Sequence, residues 1–166
     1  MDAKETTKAI RTAIKQGDDQ AAVSLICADQ SQLSAITPFG TWLHVAAAYG
    51  RINVVKKLIE MGADMHLNAG IENATPLFMA AFDGHIEVLD YLLSLGAKAD
   101  VSRPEGNPLF AAINQGHTQV AKRLIESGID VHVKYKGTSG AVKDAHSYAL
   151  DWGRKDIAAL IEAAKS

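Results

Sequence analysis

Several things are scarce in this 166-residue chain, and each scarcity removes a class of protein. It has one cysteine, Cys27, which rules out an internal disulfide and a thiolate metal cage. Basic residues are not in excess: 17 Lys and Arg stand against 19 Asp and Glu, a formal charge of −2. A nucleic-acid binder would usually carry a strong basic surplus, so none is expected as a partner. No apolar run approaches the ~18 residues of a membrane span. The opening stretch, MDAKETTKAI, is charged and has no apolar segment of the secretory kind. What remains is a cytoplasmic, disulfide-free protein of one domain. With 48% apolar and 22% charged residues it has an ordinary globular composition. A chain of this size buries about 70% of the surface its unfolded form exposes and needs no covalent staple.

What the chain does have is internal repetition. Thr41-Trp42-Leu43-His44-Val45-Ala46-Ala47 runs to Gly50, then to Val54-Val55, Leu58-Ile59 and Gly62-Ala63-Asp64. Thr75-Pro76-Leu77-Phe78-Met79-Ala80-Ala81 runs to Gly84, then to Val88-Leu89, Leu92-Leu93 and Gly96-Ala97. Asn107-Pro108-Leu109-Phe110-Ala111-Ala112 runs to Gly116, Val120-Ala121, Leu124-Ile125 and Gly128. These starts are 34 and 32 residues apart. Weaker copies flank them, one around Gly17 and one around Gly153. For the last copy, two registers compete, one starting at Asp144 and one placing Tyr148-Ala149-Leu150-Asp151 on the motif. The first keeps both helices whole and is preferred.

The pattern resembles the ankyrin repeat, whose period is about 33 residues and whose signature contains T-P-L-H-x-A. The resemblance covers nearly the whole chain and implies an all-α solenoid of five helix-turn-helix units with extended fingers between them. The units run roughly 5–36, 37–70, 71–103, 104–135 and 136–166, the terminal two degenerate. Each motif residue has a physical task. Thr75 and Asn107 suit an N-cap, Pro76 the first helical position, and the glycines the left-handed ends of helices. Departures from the pattern are informative too. Trp42 stands where proline is usual, so that helix should begin slightly differently, and Phe78 and Phe110 stand where histidine is usual. The stretch from Val131 to Lys143 holds three lysines, no acid except Asp144 just beyond it, and the run Gly137-Thr138-Ser139-Gly140, which reads as a flexible insertion on a finger. Insertions of this kind map to one face of a solenoid, often the binding face.

Chemistry of the catalytic kind finds little support. Of six histidines, His44, His66, His85, His117 and His132 fall at recurring repeat positions, and only His146 does not. None has His-x-x-x-His or Cys-His spacing, so no metal is expected. Lys136-Gly137-Thr138-Ser139-Gly140 lacks the first glycine and the strand-loop-helix setting of a phosphate loop. No Gly-x-Ser-x-Gly elbow occurs. Asp18, Asp19 and Asp29 read as helix caps rather than paired catalytic acids. Cys27 shares an apolar stripe with Val23 and Ile26 and reads as a small buried hydrophobe. No enzyme and no cofactor are expected.

The resemblance implies instead a protein partner, held on the concave face made by fingers and first helices. Carried over residue by residue, the two positions before each inter-helix glycine are the candidates. They are Lys15 and Gln16, Ala48 and Tyr49, Phe82 and Asp83, Asn114 and Gln115, and Asp151 and Trp152. From the fingers come Phe39, Asn68, Ile71, Glu72, Asn73, Arg103, Glu105, Tyr135 and Lys136. Two readings of the aromatics stand side by side: exposed binding anchors, or rings that pack on the neighbouring finger. Asp83 and Asp151 in one row favour a basic partner surface. Met1 opens the sequence and degenerate units close both ends, so a free-standing protein, monomeric when free, is expected. Small ankyrin proteins of that kind include kinase inhibitors and bacterial immunity proteins. The expectation is therefore a cytoplasmic inhibitor that neutralises a partner such as a toxin or effector domain, with a bridging adaptor as the alternative.

Overall fold

Helix boundaries follow from caps that the sequence supplies. The computed structural model describes residues 2–137 and 140–165, and Thr138 and Ser139 of the expected flexible run lie outside them. Thr75 Oγ1 accepts from the Phe78 amide at 3.2 Å and opens α5 (Pro76–Phe82), with proline at the first position, where no donor is needed. Asn107 does the same for α7 (Pro108–Gln115) through the Leu109 amide, at 2.9 Å. Asp144 opens α9 (Ala145–Asp151) by accepting from Ser147 at 2.9 Å, which sets the last unit in the register that starts at Asp144. At α3 (Trp42–Ala48) the device changes. The Thr41 amide and hydroxyl both meet His44 Nδ1, at 3.2 and 2.8 Å, and Trp42 is wholly buried. At the N-terminus Asp2 and Glu5 form a reciprocal cap for α1 (Ala3–Gln16).

These first helices pack one against the next in chain order, α1, α3, α5, α7, α9. Behind them a second layer forms from α2 (Asp19–Ala28), α4 (Ile52–Glu60), α6 (Ile86–Ser94), α8 (Thr118–Glu126) and α10 (Lys155–Ala164). Ala46, Ala47, Ala80, Ala81 and Ala112 are fully buried, and their small side chains let the first helices approach closely. Leu58, Leu89, Leu92 and Leu124 fill the space between layers, each contributing about 1.5–3 kcal/mol by leaving water. Cys27 departs from its expected burial. It is exposed, one position beyond the buried Ala22 and Ile26 stripe and so rotated about 100° off it, with Sγ 3.7 Å from Met61 Sδ.

One contact recurs at every seam between units. The residue after every inter-helix glycine but the first reaches back and donates to the carbonyls that end the preceding first helix. Arg51 Nε bonds Ile14 O at 2.8 Å, and His85 Nε2 meets Ala48 O at 2.8 Å. His117 Nε2 meets Phe82 O at 3.1 Å, and Arg154 Nε bonds Ile113 O at 3.3 Å. Helix C-termini leave carbonyls without partners, and here the next unit supplies the donor. Both histidines must carry their proton on Nε2 to do so. Gly84 makes room for this. It has φ +79°, and a Cβ placed on it would lie 2.7 Å from His117 Cε1. Around Gly153 at the last unit (φ +67°) nothing lies within 4 Å.

Fingers are tied in a similar relay. Ile71 N donates to Pro38 O at 2.8 Å, linking the first finger to the second. Arg103 donates to Glu72 O at 3.2 Å and to Asn73 O, linking the second to the third. Tyr135 donates to Val101 O at 2.8 Å and accepts from Asn107 Nδ2 at 3.0 Å, linking the third to the fourth. On either side of Thr138 and Ser139, the stretch read as an insertion holds two antiparallel paired strands, β1 (Lys134–Lys136) and β2 (Val142–Asp144), with Tyr135 opposite Lys143. His44, fully buried, directs Nε2 at Leu67 O and Ala74 O, at 3.0 and 2.9 Å, and so pins α3 to the second finger.

Two outcomes test this account. Gly153→Ala should cost about 1–2 kcal/mol from backbone strain alone. Gly84→Ala should cost at least about 1 kcal/mol more in urea unfolding, since the His117 ring must leave its place and its bond. Burial pushes the His44 pKa down from 6.5, although the Leu67 and Ala74 carbonyls oppose it. The unfolded chain then takes up a proton that the folded one refuses, so stability falls as pH drops through about 6.5. Urea melts at about pH 7.5 and about pH 5.5 should show that slope in the wild type. His44→Gln should flatten it.

Candidate functional site

Fingers and first helices together enclose a groove of about 390 Å³, to which the second helices contribute no lining residue. Its floor comes from residues that the helical pitch turns toward the fingers. Phe78 and Phe110, which stand where a histidine was expected, are 7% and 6% exposed. Phe110 lies 4.9 Å from Tyr148, nearly parallel at 29°, and 4.9 Å from Tyr135, edge to face at 77°. Such offset and T-shaped pairs hold rings in one orientation. Phe82 stacks on Phe78 at 5.9 Å and rises as a wall, 38% exposed. Trp152 meets Tyr148 at 6.1 Å, outside the groove lining, and is 49% exposed. Phe82 and Trp152 are thus exposed rings that pack on more deeply buried ones.

The rim is set by the fingers, with Glu72, Glu105 and Lys136 lining it. Among the described residues the Glu72 and Glu105 carboxylates make no hydrogen bond or ion pair. A second depression of about 280 Å³ adjoins the first and is lined by Tyr49, Asp83, Met79, Phe39 and Arg11. There the Arg11 guanidinium sits over the Phe39 ring, 4.6 Å from its centroid. Burial raises the Asp83 pKa, against the pull of His85 and His117.

Of the expected binding residues, Glu72, Phe82, Glu105, Asn114, Tyr135 and Lys136 meet in the first depression, and Tyr49 and Asp83 in the second. Gln115, Trp152 and Asp151 line neither; Ile71 is a fingertip, 79% exposed. Three roles change. The Asp151 carboxylate pairs with Lys143, so it does not stand ready beside Asp83 for a basic partner. Arg103 is not a loose rim charge, because its guanidinium is held by carbonyls of the preceding finger. The Tyr135 hydroxyl is satisfied on both sides within the fold, and its burial raises the phenol's pKa. Asn114 donates to the Tyr148 hydroxyl at 3.3 Å, which steadies the floor. Sequence reading missed Tyr148 as a groove residue, though its place one turn before Trp152 carried the signal.

No group of three or more His, Cys, Asp or Glu among the described residues is arranged to hold a metal ion. No helix there is long and apolar enough to cross a membrane.

Comparison with known proteins agrees with this geometry. The family model "Ankyrin repeats (3 copies)" matches residues 43–135, more than half of the chain. The mouse protein phosphatase 1 regulatory subunit 27 is 37% identical over 95 residues, 57% of this chain and 61% of the relative. Mouse ankyrin repeat and SOCS box protein 11 is 33% identical over 97 residues, 58% of this chain and 29% of the relative. A palmitoyltransferase of Lachancea kluyveri is 40% identical over 89 residues, 53% of this chain but 12% of the relative. The matched stretch thus spans less than two thirds of each of these relatives. Three consecutive copies, stitched by the same backward-reaching donor, place this chain in the ankyrin-repeat family, as a protein-binding module.

Proposed function

We propose that this chain is an inhibitory or regulatory binding protein that acts by covering the working surface of an enzyme. The immunity-protein expectation is the case in which that enzyme is a toxin or effector. The observation that carries the reading is the exposed aromatic series Tyr49, Phe82 and Trp152: Phe82 and Tyr49 line the first and second depressions, and Trp152 stands outside them on Tyr148. Rings held this way bury large area at little entropic cost, which is what binding hot spots require. Similarity to a relative named as a phosphatase regulatory subunit favours an enzyme as the partner class. A bridging adaptor would need a second binding surface, and the described convex helices offer mainly charged side chains there, such as Lys57 with Glu60 and Lys122 with Glu126.

The test is capture of the partner from native lysate, followed by titration calorimetry and an assay of the partner's activity. Phe82→Ala and Trp152→Ala should each raise the dissociation constant at least ~30-fold, the equivalent of about 2 kcal/mol. Lys122→Ala, on the outer layer, should change it little. Lys56 is a poorer control because its ammonium lies 5.5 Å from the Tyr91 ring centroid. An inhibitor lowers the partner's activity at one-to-one stoichiometry. An adaptor leaves that activity unchanged and retains two different proteins at once.

A further inference from the structure

We propose that the aromatic groove between the second and fourth fingers is a receptor for an arginine side chain presented by the protein partner, its guanidinium stacking on the rings and bonding the Glu72 and Glu105 carboxylates. This rests on the protein-binding reading and adds to it the chemistry of the group received.

Charge complementarity selects this occupant. Of the two lysines that line the groove, Lys143 is engaged with Asp151. Its acids are not, since Glu72 and Glu105 have no side-chain partner among the described residues; Lys136 stands against them in the lining, and Arg103, bonded to the Glu72 carbonyl, keeps its charge beside the rim. An apolar floor under unengaged carboxylates fits a group with a hydrocarbon stem and a cationic head. Between arginine and lysine, ring geometry decides. The rings lie in near-parallel pairs, at 25° for Phe78 with Phe82 and 29° for Phe110 with Tyr148, with Phe82 the exposed member of the first and Phe78 and Phe110 nearly buried. A planar guanidinium stacks on such faces and forks onto carboxylates, whereas an ammonium is a compact, strongly hydrated charge. The molecule already uses this contact once, in the neighbouring depression, where Arg11 covers Phe39.

The experiment needs no identified partner. Acetyl-arginine-amide is titrated into the full chain while aromatic and backbone NMR resonances are followed, with acetyl-citrulline-amide as the neutral isostere and acetyl-lysine-amide as the other cation. The expected result is saturable shifts at Phe82, Phe110 and Tyr148 for the arginine probe, and binding of the citrulline probe weaker by about ten-fold. Glu72→Gln with Glu105→Gln should weaken the arginine probe by a similar factor with unchanged urea stability, since neither carboxylate supports the fold. Phe82→Leu should do so while keeping the groove apolar. Equal binding of citrulline would make the groove a plain apolar slot and overturn the proposal. Preference for lysine, or no saturable shift in these rings, would also overturn it. Partner capture is measured separately, so loss of this site and loss of the binding function give different results.

Discussion

The seam contact between units is the constraint on which the rest depends. A seven-residue helix such as α5 leaves more than half its backbone carbonyls without a partner inside the helix. Such a helix is far too short to persist alone in water. In this chain the end of each first helix, up to α7, is completed by a side chain from the following unit, through Arg51, His85, His117 and Arg154. The same donor fixes how far one unit rotates on the next. The spacing of the fingers, and therefore the width of the groove, follows from that.

Finger contacts carry this order outward. Each finger offers a carbonyl that the next one binds, so Glu72, Glu105 and Lys136 come from three successive fingers yet share one rim. Below them the substitution of Phe78 and Phe110 for histidine changes what the units can do. His44 spends its ring on pinning a finger, as a buried neutral donor. A phenylalanine makes no such bond, and the task of holding the later fingers passes to Arg103 and Tyr135. The rings so released form an aromatic floor. The loss of a structural bond and the gain of an aromatic groove floor are one event at these two positions.

Much of this was legible in the sequence, because it is local. Caps at Thr75, Asn107 and Asp144, left-handed glycines and paired alanines all act within a few residues of themselves. What was not legible depends on distance. The Lys143 partner of Asp151 lies eight residues away, on β2 rather than on α9, and a lysine- and glycine-rich stretch gives no periodic sign of strands. Arg103 reaches 30 residues back along the chain to its finger carbonyls. Cys27 sits on the edge of an apolar stripe, where one residue of rotation separates burial from exposure. The stitching donors were visible as Gly-Arg, Gly-His, Gly-His and Gly-Arg, but their acceptors were 35 to 41 residues distant.

Direction matters in that stitching: every donor belongs to the later unit and every acceptor to the earlier one. On the ribosome a first helix therefore emerges unfinished and stays so until its successor's arginine or histidine has been made and has cleared the tunnel. The separation of 35 to 41 residues corresponds to roughly 2–8 s at typical synthesis rates. Each new unit thus closes the one before it, and order spreads from the N-terminus as a wave that trails synthesis by one repeat. Until that wave arrives, the exposed end of each helix is the part of the nascent chain most open to a chaperone or a protease.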